Sequence, residues 1–166
     1  MSKIDLGSAD EVLVVVFKEG WKAREALEVL ERRHNDGLLQ VRAAAVVSRD
    51  ENGELDVIEH DDHAALAGSV KGGVIGMLVG AIAGPIGMLV GAGGGKLAGK
   101  GSDLRRAHEL GKTVNALARS VPAGSTAVLA AVADPDPEPT DRELTTLGGR
   151  VGRFRAADVV SELELG

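Results

Sequence analysis

Between residues 64 and 101 glycine recurs every fourth position, at Gly68, Gly72, Gly76, Gly80 and Gly84, and again at Gly87, Gly91, Gly95 and Gly99. Residues 72 to 95 contain ten glycines and no charged side chain. Glycine in a helix interior costs about 1 kcal/mol relative to alanine, so a helix this rich in it forms only where close backbone contact offsets the loss. Four-residue spacing lines the glycines along one side of a helix and opens a groove that admits a second backbone. Gly84-Pro85-Ile86-Gly87 is a turn signal at the midpoint. The spacing therefore predicts a helical hairpin, two short glycine zippers joined by a turn at Gly84, Pro85 and Gly87. Val74, Ile75, Met77, Leu78, Val79 and Ile82 on the first arm, with Ile86, Met88, Leu89 and Val90 on the second, fall outside the groove. They give the hairpin an apolar outer surface, directed at lipid or at a partner.

A single membrane span is the competing use of such a stretch. Its 24 uncharged residues would reach about 36 Å as one helix, enough for a hydrocarbon core of about 30 Å. That topology separates the two remaining parts of the chain by a membrane, and neither part can build a core alone. As a hairpin, the segment gathers Lys71, Lys96 and Lys100 at its base and leaves an apolar tip. Each arm is then about 20 Å long, short for a full crossing. The hairpin either re-enters one leaflet or is sheathed by other chains, copies burying one another in water. Self-association follows in both cases.

The remainder reads as one α+β domain. Val12 to Phe17 is a continuous apolar run suited to a strand buried on both faces. Trp21 to Arg33 sets Ala23, Ala26, Leu27 and Leu30 on one helical side and stops at His34-Asn35-Asp36-Gly37. Leu38 to Arg49 and Glu54 to Glu59 flank the hairpin signal Asn52-Gly53. Beyond the glycines, Asp103 to Ser120 has helical spacing, and Pro122-Ala123-Gly124 turns into a strand at Ser125 to Ala133. Thr140 and Glu143 form a capping-box pattern ahead of a short helix ending at Gly148-Gly149, and Val151 to Arg155 is strand-like. The order predicts a ferredoxin-like split β-α-β domain with the hairpin inserted and an αβ unit appended. The expected boundaries are 1–63 for the first part of the domain, 64–101 for the hairpin, 102–134 for the second part, 135–140 for a Pro-rich linker, and 141–166 for the appended unit and tail.

Several of these stretches carry a resemblance. Val12–Phe17, Asp36-Gly-Leu38, Val46–Gly53, the Gly-Pro-x-Gly turn at 84–87 between paired glycine registers, Pro122–Ala127 and Leu147-Gly-Gly-x-Val151 together resemble an uncharacterised bacterial family, domain of unknown function twelve-sixty-nine. Its members are commonly labelled membrane proteins. The resemblance implies the same interrupted α+β plan and a membrane association, and it brings no activity and no catalytic residues. The Pro-rich stretch at 135–139 and the longer acidic ends depart from the family habit.

Composition narrows the function classes. Aromatic residues supply 2% of the chain, too few to line a deep ligand pocket, so no cofactor is expected. The formal charge of −6 disfavours nucleic acid as a partner, and the lack of cysteine removes thiol chemistry. Acidic residues near the start, without an apolar run, read as an unexported chain. The expectation is cytoplasmic, with the hairpin peripheral or re-entrant at the inner membrane and the domain on the cytoplasmic side. His60, Asp62 and His63 could hold a surface divalent ion, although an N-cap and acidic first turn explain them better and no metal is assigned. Gly94 to Lys100 approaches a phosphate-binding loop but has Gly101 where Ser or Thr is needed. His34 and His108 have no nucleophile near them in sequence, and Trp21 reads as an anchor or a core residue. The expected function is a noncatalytic, self-associating scaffold or interaction protein. Its alternative is a soluble ferredoxin-like oligomer that binds a small molecule on its sheet face.

Overall fold

The apolar runs of the sequence become the strands of one sheet. The computed structural model describes residues 9–58, 79 and 111–165. Within them lie β1 (Glu11–Phe17), α1 (Gly20–Asn35), β2 (Gln40–Arg49), β3 (Leu55–Ile58), α2 (Lys112–Arg119), β4 (Thr126–Ala133), α3 (Pro137–Thr146), β5 (Arg150–Arg155) and α4 (Ala156–Leu165). The five strands form an antiparallel sheet in the order β3-β2-β4-β1-β5. The chain is therefore α+β, with four helices among the described residues.

The strand order differs from the expectation in an instructive way. The element order alone predicts an interlocked core of the first four strands with the last αβ unit appended. In the structure, β4 lies between β1 and β2, and β1 lies between β4 and β5. Two units, β1-α1-β2 and β4-α3-β5, thus interleave, each holding a strand of the other between its own parallel pair. β3 is left at the outer edge. The β4-α3-β5 unit is integral, since β5 pairs with β1 from Arg150 to Arg155 and Leu144 of α3 is fully buried.

Both sheet faces are covered. On the first, Leu13, Val15 and Phe17 of β1 and Val128, Ala130 and Val132 of β4 pack under α1 and α3. On the second, Val12, Val14 and Val16 with Ala127, Leu129 and Ala131 pack under α2 and α4. Successive side chains of a strand alternate between faces, so the unbroken apolar run of β1 serves both. A bulge at Arg42 lets Val41 face the first core and Ala43 the second.

The two helices of the first face end alike. Gly37 after α1 and Gly148 after α3 both adopt positive φ, +72° and +94°. Their N–H groups donate to His34 O and Thr145 O, while Leu38 N–H and Gly149 N–H donate to Arg33 O and Leu144 O. This is the paired bonding of a Schellman motif, which satisfies the last carbonyls of a helix. Gly149 has a second constraint, because a Cβ there would lie 2.6 Å from Val15 Cγ1 and 2.9 Å from the Leu144 carbonyl oxygen.

Three local expectations are corrected. The stretch expected as a stiff linker is the first turn of α3, with Pro137 at the helix start, where a missing N–H costs nothing. The N-cap is Asp136, so Thr140 and Glu143 make no capping box, and Thr140 is instead fully buried within the helix. The tail expected to trail from 156 is α4. Ala156, Val159, Val160 and Leu163 show the i, i+3, i+4, i+7 spacing of its core-facing side.

The expected hairpin lies outside the described residues, except for Val79. That residue is helical and half-buried, and it packs against the second core instead of lying on an outer surface.

Candidate functional site

The nine zipper glycines, the turn at Gly84, Pro85 and Gly87, the outward apolar set other than Val79, and His60, Asp62 and His63 all fall outside the described residues. Among the described residues no group of three His, Cys, Asp or Glu side chains could hold a metal ion. None of their helices is long and apolar enough to cross a membrane. His34, in the last turn of α1, accepts a hydrogen bond at Nδ1 from Val41 N–H at 3.1 Å, which ties the helix end to β2. Trp21 is not a core residue, being 57% exposed at the start of α1.

What the fold does assemble is a cationic cleft where β1 ends and β4 and β5 begin. One cavity of about 380 Å³ lies between the β1–α1 junction, with Lys18, Glu19 and Lys22, the turn from Pro122 to Ser125, and Gly148 and Arg150. A second, of about 700 Å³, lies on the other side of Arg150 against Lys112, Asn115 and Arg119 of α2. Among the described residues, five cationic side chains thus line the two cavities, with Glu19 as the one carboxylate. Glu19 pairs with Lys22 at 3.4 Å. The Lys22 ammonium also lies 5.5 Å from the Trp21 ring centroid, and a Cβ at Gly148 would sit 3.5 Å from it. Arg150 Nη2 donates to Ser120 O at 3.3 Å.

The hydroxyls in this region are committed to the backbone. Ser125 Oγ donates to Pro122 O at 2.6 Å, and Ser120 Oγ to Leu117 O at 2.5 Å. An oxygen whose proton is given to a carbonyl has no base to activate it as a nucleophile. The arrangement is one of charge and shape, suited to holding an anion.

A second charged cluster is architectural. Arg153 of β5 reaches Glu11 of β1, Asp134 after β4 and Asp141 of α3, the last two at 2.9 and 2.7 Å. Burial alone would lower the Arg153 pKa, but the three carboxylates more than offset it and hold the guanidinium firmly charged. Asp134 is 1% exposed, so this pairing keeps a buried carboxylate compensated at the junction of three elements.

A third group fastens α2. Its N-cap, Gly111, has no side chain, and Glu162 of α4 supplies the missing acceptor to Thr113 N–H at 3.0 Å and Val114 N–H at 2.7 Å. Burial works to raise the Glu162 pKa, and these two amides outweigh it and lower the pKa overall.

Neither the cationic cleft nor the Arg153 cluster is legible in the sequence. Lys18, Lys22, Lys112, Arg119 and Arg150 share no spacing, and only the sheet order brings them to one end. For Glu162, a signal existed in the amphipathic spacing of α4 and in a helix beginning at a bare glycine.

The sequence profile of the family described as Protein of unknown function (DUF1269) matches residues 67–156. No curated protein and no solved structure matches the chain significantly. The matched span starts within the glycine-rich stretch, contains all nine four-spaced glycines and continues through α2, β4, α3 and β5. The stretches at 12–17, 36–38 and 46–53 that contributed to the resemblance precede it. With more than half of its length matched, the chain belongs to this family of proteins of unknown function.

Proposed function

We propose that this protein is a noncatalytic, self-associating interaction protein in which a closed α+β body carries residues 64–101 as a glycine-zipper hairpin, and that hairpins of several copies clasp one another. The observation that carries this reading is the doubled four-residue glycine register, which lies wholly inside the family's matched span. So dense a run of glycine destabilises a helix unless another backbone packs against it. The interleaved β-α-β units are read as a ferredoxin-like body with β5, rather than β3, as its fourth strand. The segment then enters after the edge strand β3 and leaves into α2.

Val79 bears on the surroundings of the hairpin. Its contact with the second core favours a segment sheathed by protein over one buried in lipid. The reading goes with a cytoplasmic protein, the location expected from the sequence. The rival reading, a small-molecule pocket on an open sheet face, has less support because helices cover both faces.

The test is the particle mass by light scattering, in plain buffer and in detergent. Replacing Gly76 and Gly91 by Leu is expected to reduce an assembly to single chains in buffer. An unchanged mass overturns the proposal. Retention of the unmodified chain in carbonate-washed membranes would move the hairpin from a protein interior into lipid.

A further inference from the structure

The cationic cleft is independent of the glycine register and needs its own explanation. A chain with net charge −6 collects Lys18, Lys22, Lys112, Arg119 and Arg150 around one end of the sheet. Among the described residues Lys18, Lys112 and Arg119 have no carboxylate partner, and the single acid, Glu19, is spent on Lys22. Like charges gathered on concave walls raise each other's energy, and a bound anion relieves that. Arg153, by contrast, is neutralised by three carboxylates of the same chain, so this fold does pair its cations where they serve structure.

Shape and position select the ligand. The cavity beside Lys18 and Lys22, at about 380 Å³, falls in the usual range of small-molecule sites, roughly 300–1,000 Å³. Arg150 forms a wall common to both cavities. Its planar guanidinium suits bidentate contact with phosphate oxygens, while the lysines act as point charges. Cations on both sides of one arginine match a ligand with more than one negative charge. We infer that the cleft formed by Lys18, Lys22 and Arg150 binds a small soluble molecule bearing a phosphate or diphosphate group, with Lys112 and Arg119 receiving its second charge.

Inorganic pyrophosphate is the probe, titrated into the full chain by calorimetry at low salt. The expected result is saturable binding, weakened about tenfold or more by Arg150→Ala and by Lys18→Ala, the scale of losing one charge-assisted contact. Lys18 is exposed and outside regular structure, so its variant keeps the inference testable should Arg150→Ala unfold. Arg142→Ala, at an exposed position of α3 that lines neither cavity, is expected to change binding less than about twofold. Trp21, the single tryptophan, gives a second readout through Lys22, and its emission is expected to shift with the same saturation curve. Absence of saturation at about 10 mM overturns the inference, as does an equal loss in Arg142→Ala, which would mean diffuse charge. Arg150-dependent binding to phosphatidylglycerol vesicles that pyrophosphate does not displace would assign the cleft to a lipid headgroup and overturn it too.

Discussion

The two faces of the sheet are closed in different ways. The first carries Leu13, Phe17, Leu27, Leu30 and Leu144 under α1 and α3, helices that finish in matching Schellman turns and are joined at the surface by Arg32 and Arg33 to Glu143. The second is built mostly from Val and Ala, under the eight-residue α2 and the ten-residue α4, with Val79 set among them. The helices of the first face close their own C-terminal ends with these turns, and neither has a side-chain bond at its N-cap. The second is held by signals its helices lend each other, since α2 lacks a cap until Glu162 of α4 provides one. The face built from the smaller side chains is the one that Val79 of the glycine segment packs against.

The largest effect that bears on this contrast comes from the first face. Phe17→Ala, at a side chain 1% exposed, is expected to cost about 4 kcal/mol in urea unfolding. On the second face Val159→Ala, at a fully buried position, is expected to cost about 2 kcal/mol. A loss at Val159 as large as that at Phe17 would erase the distinction between the faces.

Glu162 sharpens the comparison at smaller cost. Glu162→Gln is expected to lose about 1 kcal/mol, the scale of a helix cap. Gly111→Ala should produce a similar loss by another route, since its Cβ would meet Glu162 Cδ at 2.1 Å and displace the carboxylate. The two losses are then non-additive in the double variant, because both remove one interaction. The pH dependence has a definite sign. The folded-state pKa of Glu162 is lowered, so its contribution is complete above the ordinary carboxylate value, about 4.3, and fades as pH falls through the lower folded value. Unfolding curves of the unmodified chain should therefore lose ground against Glu162→Gln variants below that range.

The sequence made the first face more legible than the second. Ala23, Ala26, Leu27 and Leu30 repeat at helical spacing, Gly37 marks where α1 ends, and the run Val12–Phe17 announces a doubly buried strand. Each is a local signal between neighbouring residues. The sheet order was not local. Whether β3 or β4 lies between β1 and β2 depends on which strand offers the longer apolar ladder, and β4, buried from Thr126 to Val132, does so while the four-residue β3 exposes Asp56 and Val57 and only half buries Leu55 and Ile58. Proline density at 135–139 suggests a stiff coil, whereas Pro137 and Pro139 lie in the first turn of a helix, which tolerates them. The cleft could not be read at all, since its charges come from the β1–α1 junction, α1, α2 and β5 and carry no mutual spacing.

Contact between glycine faces can be measured directly, because the chain lacks cysteine. Single cysteines placed in turn at Gly72, Ile75, Gly76, Leu78 and Gly80 can be oxidised and the disulfide-linked dimers counted. The expected profile peaks at 72, 76 and 80, with Ile75 and Leu78 well below. A flat profile, or dimers favouring 75 and 78, would contradict the clasp.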